Sequence, residues 1–304
     1  MGNGEKKEVL SGIVNFNEYF NAFDVDEEKD SGRATGFQEL DDVQIIKSGV
    51  YALGGRPGTG KTTFCWQLLE QLAENGERCI YGTYGQKAAT IYLKSLTRKL
   101  YSYEGNSAPS LMQIMLGERS RKYSSALSEL SAEAKDLTVI ELREETVDDL
   151  VELFGKFCSD DGKTPVFCID YLEDITRSRE ETETDILLKL KQFSRDRQAT
   201  IILVTRINRQ SYNTEVELKS FTSDVINEAD VVWGLQFYAT KNFGEWKKAN
   251  GGEILFKLSQ RSEREMTLKC VKNNFGDKYE VNFRYEAAHD YFQSVEGFSE
   301  RLRV

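Results

Sequence analysis

The stretch Gly55-Arg56-Pro57-Gly58-Thr59-Gly60-Lys61-Thr62 fits G-x-x-x-x-G-K-[ST], and it lies between an apolar run, Val50 to Leu53, and a helical-looking one, Thr63 to Ala73. A strand that turns sharply into a helix is the setting in which such a loop cradles phosphate. Several backbone N–H donors must point into one concavity, and Gly55, Gly58 and Gly60 give the chain the freedom to curl that tightly. Lys61 can place a point charge on the β and γ phosphates, and the Thr62 hydroxyl can ligate Mg²⁺ at the positive end of the following helix. The candidate binding set is therefore Gly55, Arg56, Pro57, Gly58, Thr59, Gly60, Lys61, Thr62 and Thr63, and the expected ligand is a nucleoside triphosphate with magnesium.

Outward from this loop, strand-like and helix-like segments alternate from Thr35 onward. Strand candidates are Gly49 to Leu53, Arg78 to Thr83, Leu137 to Leu142, Pro165 to Asp170, Thr200 to Thr205 and Ala229 to Phe237. Between them fall helices at Thr62 to Glu74, Lys87 to Tyr101, Leu111 to Lys135, Val147 to Cys158 and Thr184 to Arg197. Such alternation predicts an α/β fold with a mostly parallel sheet flanked by helices on both faces. The tail changes character, with short strand candidates Glu253 to Leu258, Met266 to Val271 and Tyr279 to Tyr285, and reads as an antiparallel C-terminal extension of the same sheet. The stretch Lys241 to Lys248, which contains Phe243 and Trp246, reads as a surface loop. Residues 1–34 are polar and acidic around an amphipathic patch, Val9 to Phe23, and read as an arm with one helix; residues 35–304 form the single domain.

A chain of 304 residues with 39% hydrophobic content can bury a sizeable core. No apolar stretch approaches the roughly 18 residues of a membrane span, and Met1 to Glu8 lacks a signal peptide's apolar segment, so the expected address is the cytoplasm, with no membrane partner. Forty Lys and Arg against 50 Asp and Glu give a net charge of -10, which argues against wrapping duplex DNA through one broad basic face. The five cysteines lack C-x-x-C spacing and read as reduced core thiols; the sole histidine, His289, reads as a strand-end residue without chemistry.

Pro165-Val166-Phe167-Cys168-Ile169-Asp170 is an apolar strand ending in a carboxylate, the place where a phosphate-loop enzyme keeps its second magnesium contact, and Asp170 joins Thr62 as a candidate metal residue. "IDYL" at Ile169 to Leu172 resembles the corresponding motif of the DnaB-type replicative helicases, members of the RecA-like ATPase group. Further segments agree in order: Thr35 to Asp41 resembles the family's entry motif, Thr205 to Arg209 its "SQLNR", Val225 to Asp230 its "aIEQDAD", and Lys272 to Gly276 its "KNRxG". The likeness spans about residues 31–295 and is to that family's C-terminal domain, without its usual N-terminal domain. It implies a RecA-like fold, ATP and Mg²⁺ as ligands, a ring-shaped homo-oligomer, expected to be a hexamer, with ATP between subunits, 5'-3' translocation on single-stranded DNA, and replication proteins as partners.

The departures from that pattern bear on catalysis. Where the family carries the glutamate of "SLEM", this chain has Thr83-Tyr84-Gly85-Gln86, so the position falls on Gly85, which has no side chain to polarise water. Where the family's arginine reaches the neighbouring subunit's nucleotide, this chain has Asn274, although Lys272 is retained. Loss of such a finger alone removes about 10³ to 10⁵ in rate where an enzyme depends on it, so hydrolysis is expected to be slow unless something substitutes. Candidates are Glu173 as a water-positioning base and Arg206 as a cation in cis, with Lys61 and Lys272 completing the catalytic set; Gln86 is a further candidate for orienting water.

By the same resemblance, loops after the "IDYL" and "SQLNR" strands grip DNA. Here they are Thr176 to Glu183 and Asn208 to Ser223, with Arg177, Arg179, Arg209 and Lys219 as candidate nucleic-acid contacts. Glu180, Glu181, Glu183, Glu215 and Glu217 intersperse them and weaken phosphate binding. Two functions are therefore expected in order: an ATP-dependent DNA helicase of replication, or a degenerate nucleotide-binding relative that assembles with a partner without unwinding.

Overall fold

The computed structural model describes residues 32–158, 165–242 and 245–302. The expected N-terminal helix at Val9 to Phe23 and the aromatic Phe243 lie outside them. Contacts divide the chain into Met1–Gly32 and Arg33–Val304, and the second unit carries everything below. Its elements, in order, are α1 (Gln38–Asp41), β1 (Gly49–Gly55), α2 (Lys61–Glu74), β2 (Cys79–Thr83), α3 (Ala88–Glu104), α4 (Leu111–Met115), α5 (Tyr123–Glu133), β3 (Leu137–Glu141), α6 (Val147–Gly155), β4 (Val166–Asp170), α7 (Glu183–Arg197), β5 (Thr200–Arg206), α8 (Ser223–Glu228), β6 (Val231–Phe237), α9 (Glu245–Ser259), β7 (Glu263–Asn273), β8 (Lys278–Glu286) and β9 (Tyr291–Leu302).

Among the described residues the strands form a 9-stranded sheet in the order β3-β2-β4-β5-β1-β6-β7-β8-β9. The first six in sequence are parallel, and β7 to β9 add antiparallel strands on the β6 edge. Residues of β1 alternate between two cores: Tyr51 and Leu53 join Phe64, Trp66, Leu69 and Leu72 of α2, whereas Val50 and Ala52 join Leu150 and Phe154 of α6 and Ile186 and Leu190 of α7. This two-sided burial is why the parallel strands read as continuous apolar runs. Each fully buried Leu or Phe contributes roughly 1.5–3 kcal/mol, so the face under α2 fixes the helix that follows the glycine-rich loop. Capping boxes set where two other helices begin, Thr146 with Asp149 for α6 and Thr182 with Asp185 for α7.

Two expectations need correction. Glu253 to Leu258 is not a strand but part of α9, where Glu253 and Lys257 pair one turn apart at 2.6 Å and Leu255 faces the core. Tyr238–Asn242 form a 3-10 helix and α9 begins at Glu245, so the described residues of the Lys241 to Lys248 segment are helical and not loop. The helical residues between Leu111 and Lys135 fall into α4 and α5, with Gly117 at φ 98° between them. Strand β9, which the sequence reading did not anticipate, completes the antiparallel extension. Among the described residues, no helix is long and apolar enough to cross a membrane.

Candidate nucleotide and metal site

Register brings the two halves of the site level with each other. Leu53 of β1 and Asp170 of β4 both pair with Val204 of β5, so the carboxylate closing β4 stands beside the strand end from which the glycine-rich loop departs. In an open α/β sheet, ligands bind beyond the carboxyl ends of the strands. The loop is held closely there. A Cβ on Gly55 would meet the Leu235 carbonyl oxygen at 2.4 Å, and Gly58 and Gly60 adopt φ of 82° and 86°. The hydroxyl of Thr59, buried in the loop, donates to the Arg56 carbonyl at 2.9 Å, and Arg264 donates to the Gly58 carbonyl at 3.0 Å. Pro57 is exposed at the tip, and the Arg56 guanidinium lies 6.0 Å from the Phe237 ring.

Lys61 donates from Nζ to the Gly55 carbonyl at 2.9 Å and the Arg56 carbonyl at 3.3 Å. Burial pushes its ammonium down to about 8, against the opposing pull of the Asp170 and Glu173 carboxylates. Thr62 donates from Oγ1 to Asp170 Oδ2 at 2.7 Å. The hydroxyl of Tyr81 donates to that same oxygen at 2.6 Å. Oδ1 of Asp170 is buried and has no hydrogen-bond partner among the described residues. Burial raises the Asp170 carboxyl above the usual range, while the bonds from Tyr81 and Thr62 and the Lys61 charge oppose that rise. A hydroxyl, a carboxylate oxygen left without a donor, and a neighbouring lysine make a hard, oxygen-rich donor set that fits Mg²⁺ beside phosphate.

Behind the loop, Thr63 donates to Asp290 Oδ1 at 2.6 Å and Lys94 of α3 reaches the same oxygen at 2.7 Å. Arg98 of α3 joins the Asp290 carbonyl to Glu70 of α2. Asp290 belongs to the β8–β9 turn, whose neighbours Tyr285 and Phe292 each come within 2.9 Å of a Cβ built on Gly60. His289 lies in this turn and not on a strand, stacked on Tyr101 at 4.5 Å with Nε2 at 3.1 Å from the Ala108 carbonyl.

Of the residues expected to replace missing catalytic groups, Glu173 is tied at Oε1 by the Thr205 hydroxyl and the Arg206 N–H, both at 2.6 Å, while buried Oε2 has no partner among the described residues. The Arg206 guanidinium pairs with Asp174 at 3.0 Å and lies 5.2 Å from the Tyr171 ring, which Lys61 Nζ approaches at 5.7 Å. Gly85 faces open space, and the Gln86 amide oxygen is buried without a partner among the described residues. Lys272 and Asn274 sit at the other end of the sheet, since Asn273 pairs with Val231, the first residue of β6. Lys272 donates to the Ile226 and Asn227 carbonyls at 2.8 and 3.3 Å, and Asn274 to Asp230 at 3.3 Å. Val231 lies beside Tyr51, four residues before Gly55, so this level is roughly 13 Å along the strand from the start of the phosphate loop, and with both side chains tied there neither serves it in cis.

The two loops expected to touch nucleic acid leave β4 and β5 at the phosphate-loop end and are joined by Thr222 donating to Glu183 at 2.7 Å. Arg177 pairs with Glu183 at 3.1 Å and Lys219 with Glu217 at 2.6 Å. Arg179 and Arg209 are exposed and form no ion pair among the described residues. Tyr81, Asp290 and Arg264 escaped the sequence reading. For Tyr81 a signal existed, since a tyrosine inside an apolar strand has to find a partner for its hydroxyl.

Fold and site together define a RecA-like phosphate-loop NTPase domain. The family model of the DnaB-like helicase C terminal domain matches residues 32–294, and the chain belongs to that family. Its fold is similar to that of a DnaB-like replicative helicase whose structure was described with its interactions with primase, at TM-score 0.73 and 16% identity, covering 93% of this chain and 68% of that one. It is similar as well to a second solved structure, described as an ATPase domain, at TM-score 0.75 and 16% identity, covering 93% of this chain and 100% of that one. No curated protein sequence matches the chain.

Proposed function

We propose that this domain binds ATP and Mg²⁺ between the phosphate loop and Asp170, and that turnover in a ring of identical subunits, by resemblance six, moves single-stranded DNA during replication. The observation that carries this reading is the Thr62 hydroxyl on Asp170 at 2.7 Å, which joins the loop and the β4 carboxylate in one pocket. Thr62 and Asp170 would hold the metal, which when bound neutralises charge on the β and γ phosphates. Lys61 adds its own charge there, and Gly55 to Thr63 supply backbone donors. Glu173 offers Oε2 to orient the attacking water, and Lys272 reaches a neighbouring subunit's nucleotide. Arg179 and Arg209 are the strongest candidates for the DNA backbone; Arg177 and Lys219 would first have to leave their carboxylates.

Gly85 and Asn274 support a second reading, a nucleotide-holding assembly partner that does not unwind. Steady-state ATPase assays with and without single-stranded DNA separate the two, run beside Lys61→Ala and Gly85→Glu. Turnover that DNA stimulates and Lys61→Ala abolishes rejects the second reading. A silent wild type that gains activity in Gly85→Glu rejects the first.

A further inference from the structure

We propose that Tyr81 is a positioning residue of the metal site, whose hydroxyl acts with that of Thr62 to hold Asp170 so that Oδ1 is the oxygen left for a divalent cation. This rests on the proposed nucleotide site. Tyr81 stands on β2 with its neighbour Cys168 on β4, and Thr83 pairs with Asp170, so the phenol reaches two residues further along the same sheet face to meet the carboxylate. The ring cannot wander. It is fully buried and packs edge-on against Trp66 of α2 at 5.4 Å, while the Trp66 indole donates to Ser95 of α3 at 2.8 Å.

The consequence lies in how donors are shared. Asp170 is 3% exposed, yet both its donors fall on one oxygen, at 2.6 Å from Tyr81 and 2.7 Å from Thr62, while Oδ1 receives none. An unpartnered buried carboxylate oxygen is costly unless a ligand completes it. Thr62 comes from the loop helix and Tyr81 from the sheet, so the second bond keeps the carboxylate oriented when Thr62 turns to the metal. A phenylalanine would pack equally well against Trp66; only the hydroxyl addresses Asp170.

The test compares wild type with Tyr81→Phe, with Tyr81→Met as a second hydroxyl-free variant. Nucleotide affinity is measured with a fluorescent ATP analogue in EDTA, and Mn²⁺ affinity of the nucleotide-loaded protein by electron paramagnetic resonance. Hydrogen bonds to charged groups correspond to roughly a ten- to hundredfold effect, and Mn²⁺ affinity should fall by that factor in both variants with metal-free nucleotide affinity retained. Unchanged Mn²⁺ affinity overturns the role of Tyr81 and leaves the nucleotide site standing. A wild type that binds no triphosphate with or without metal overturns the site itself.

Discussion

The hydroxyl of Thr205 donates to Oε1 of Glu173 at 2.6 Å, fixing on β5 a carboxylate that grows from the end of β4. The Arg206 N–H holds the same oxygen, so a glutamine at 173 can accept both bonds through its carbonyl. Glu173→Gln should therefore keep its melting temperature and nucleotide affinity, while kcat falls about 10²-fold or more as the base is lost. Equal kcat in the variant would remove Glu173 from the reaction.

Two loop glycines share a left-handed backbone but not their surroundings. A Cβ at Gly58 meets nothing within 4 Å, whereas at Gly60 it strikes Tyr285 and Phe292 at 2.9 Å. Alanine at either position costs about 1–2 kcal/mol for the backbone alone. At Gly60, overpacking should add about 1–3 kcal/mol. Urea unfolding of Gly58→Ala and Gly60→Ala without nucleotide measures the difference, and equal losses would contradict the packing described.

Lys61 makes a prediction about pH. Its folded-state value of about 8 lies below the ordinary lysine value of 10.5, so between these the unfolded chain carries a proton that the folded chain lacks. Stability from this group is full above the unfolded value and is lost as pH falls through about 8. A bound triphosphate favours the ammonium, so binding at about pH 9 should take up close to one proton and at about pH 7 almost none. Calorimetry in buffers of different ionisation heat reads this directly; no uptake at the higher pH would place Lys61 away from the phosphates.

The buried pair of Lys94 and Asp290, at 2.7 Å, ties α3 to the β8–β9 turn. Asp290→Ala strands the ammonium and should cost about 3–5 kcal/mol in chemical denaturation. The double change Lys94→Met with Asp290→Asn, which keeps an acceptor for Thr63 and suits the positive φ of 50° at this position, should recover much of that loss. If the single variant unfolds like wild type, the pair contributes no more than a surface bridge.

Much of this molecule could be read from residue order alone. Gly55 to Thr62 and the Val166 to Asp170 run carried enough local chemistry to place both walls of the pocket, because turn-forming glycines and strand-end carboxylates act where they stand in sequence. What escaped were relations of register and of long reach. Nothing local to Tyr81 says that its hydroxyl meets a residue two positions further along a neighbouring strand, and nothing near Asp290 says that it meets Thr63. Glu253 to Leu258 misled because a short apolar run reads equally as strand or helix, and the Glu253–Lys257 pairing decided it.

Thr63 and Asp290 are 227 positions apart in sequence, and the same distant turn brings Phe292 against Gly60. During synthesis, then, the phosphate loop is made early but acquires its full supporting wall only after nearly the whole domain has left the ribosome. A nascent chain released before Phe292 would present the motif without its buttress, and long-range closure of this kind slows folding.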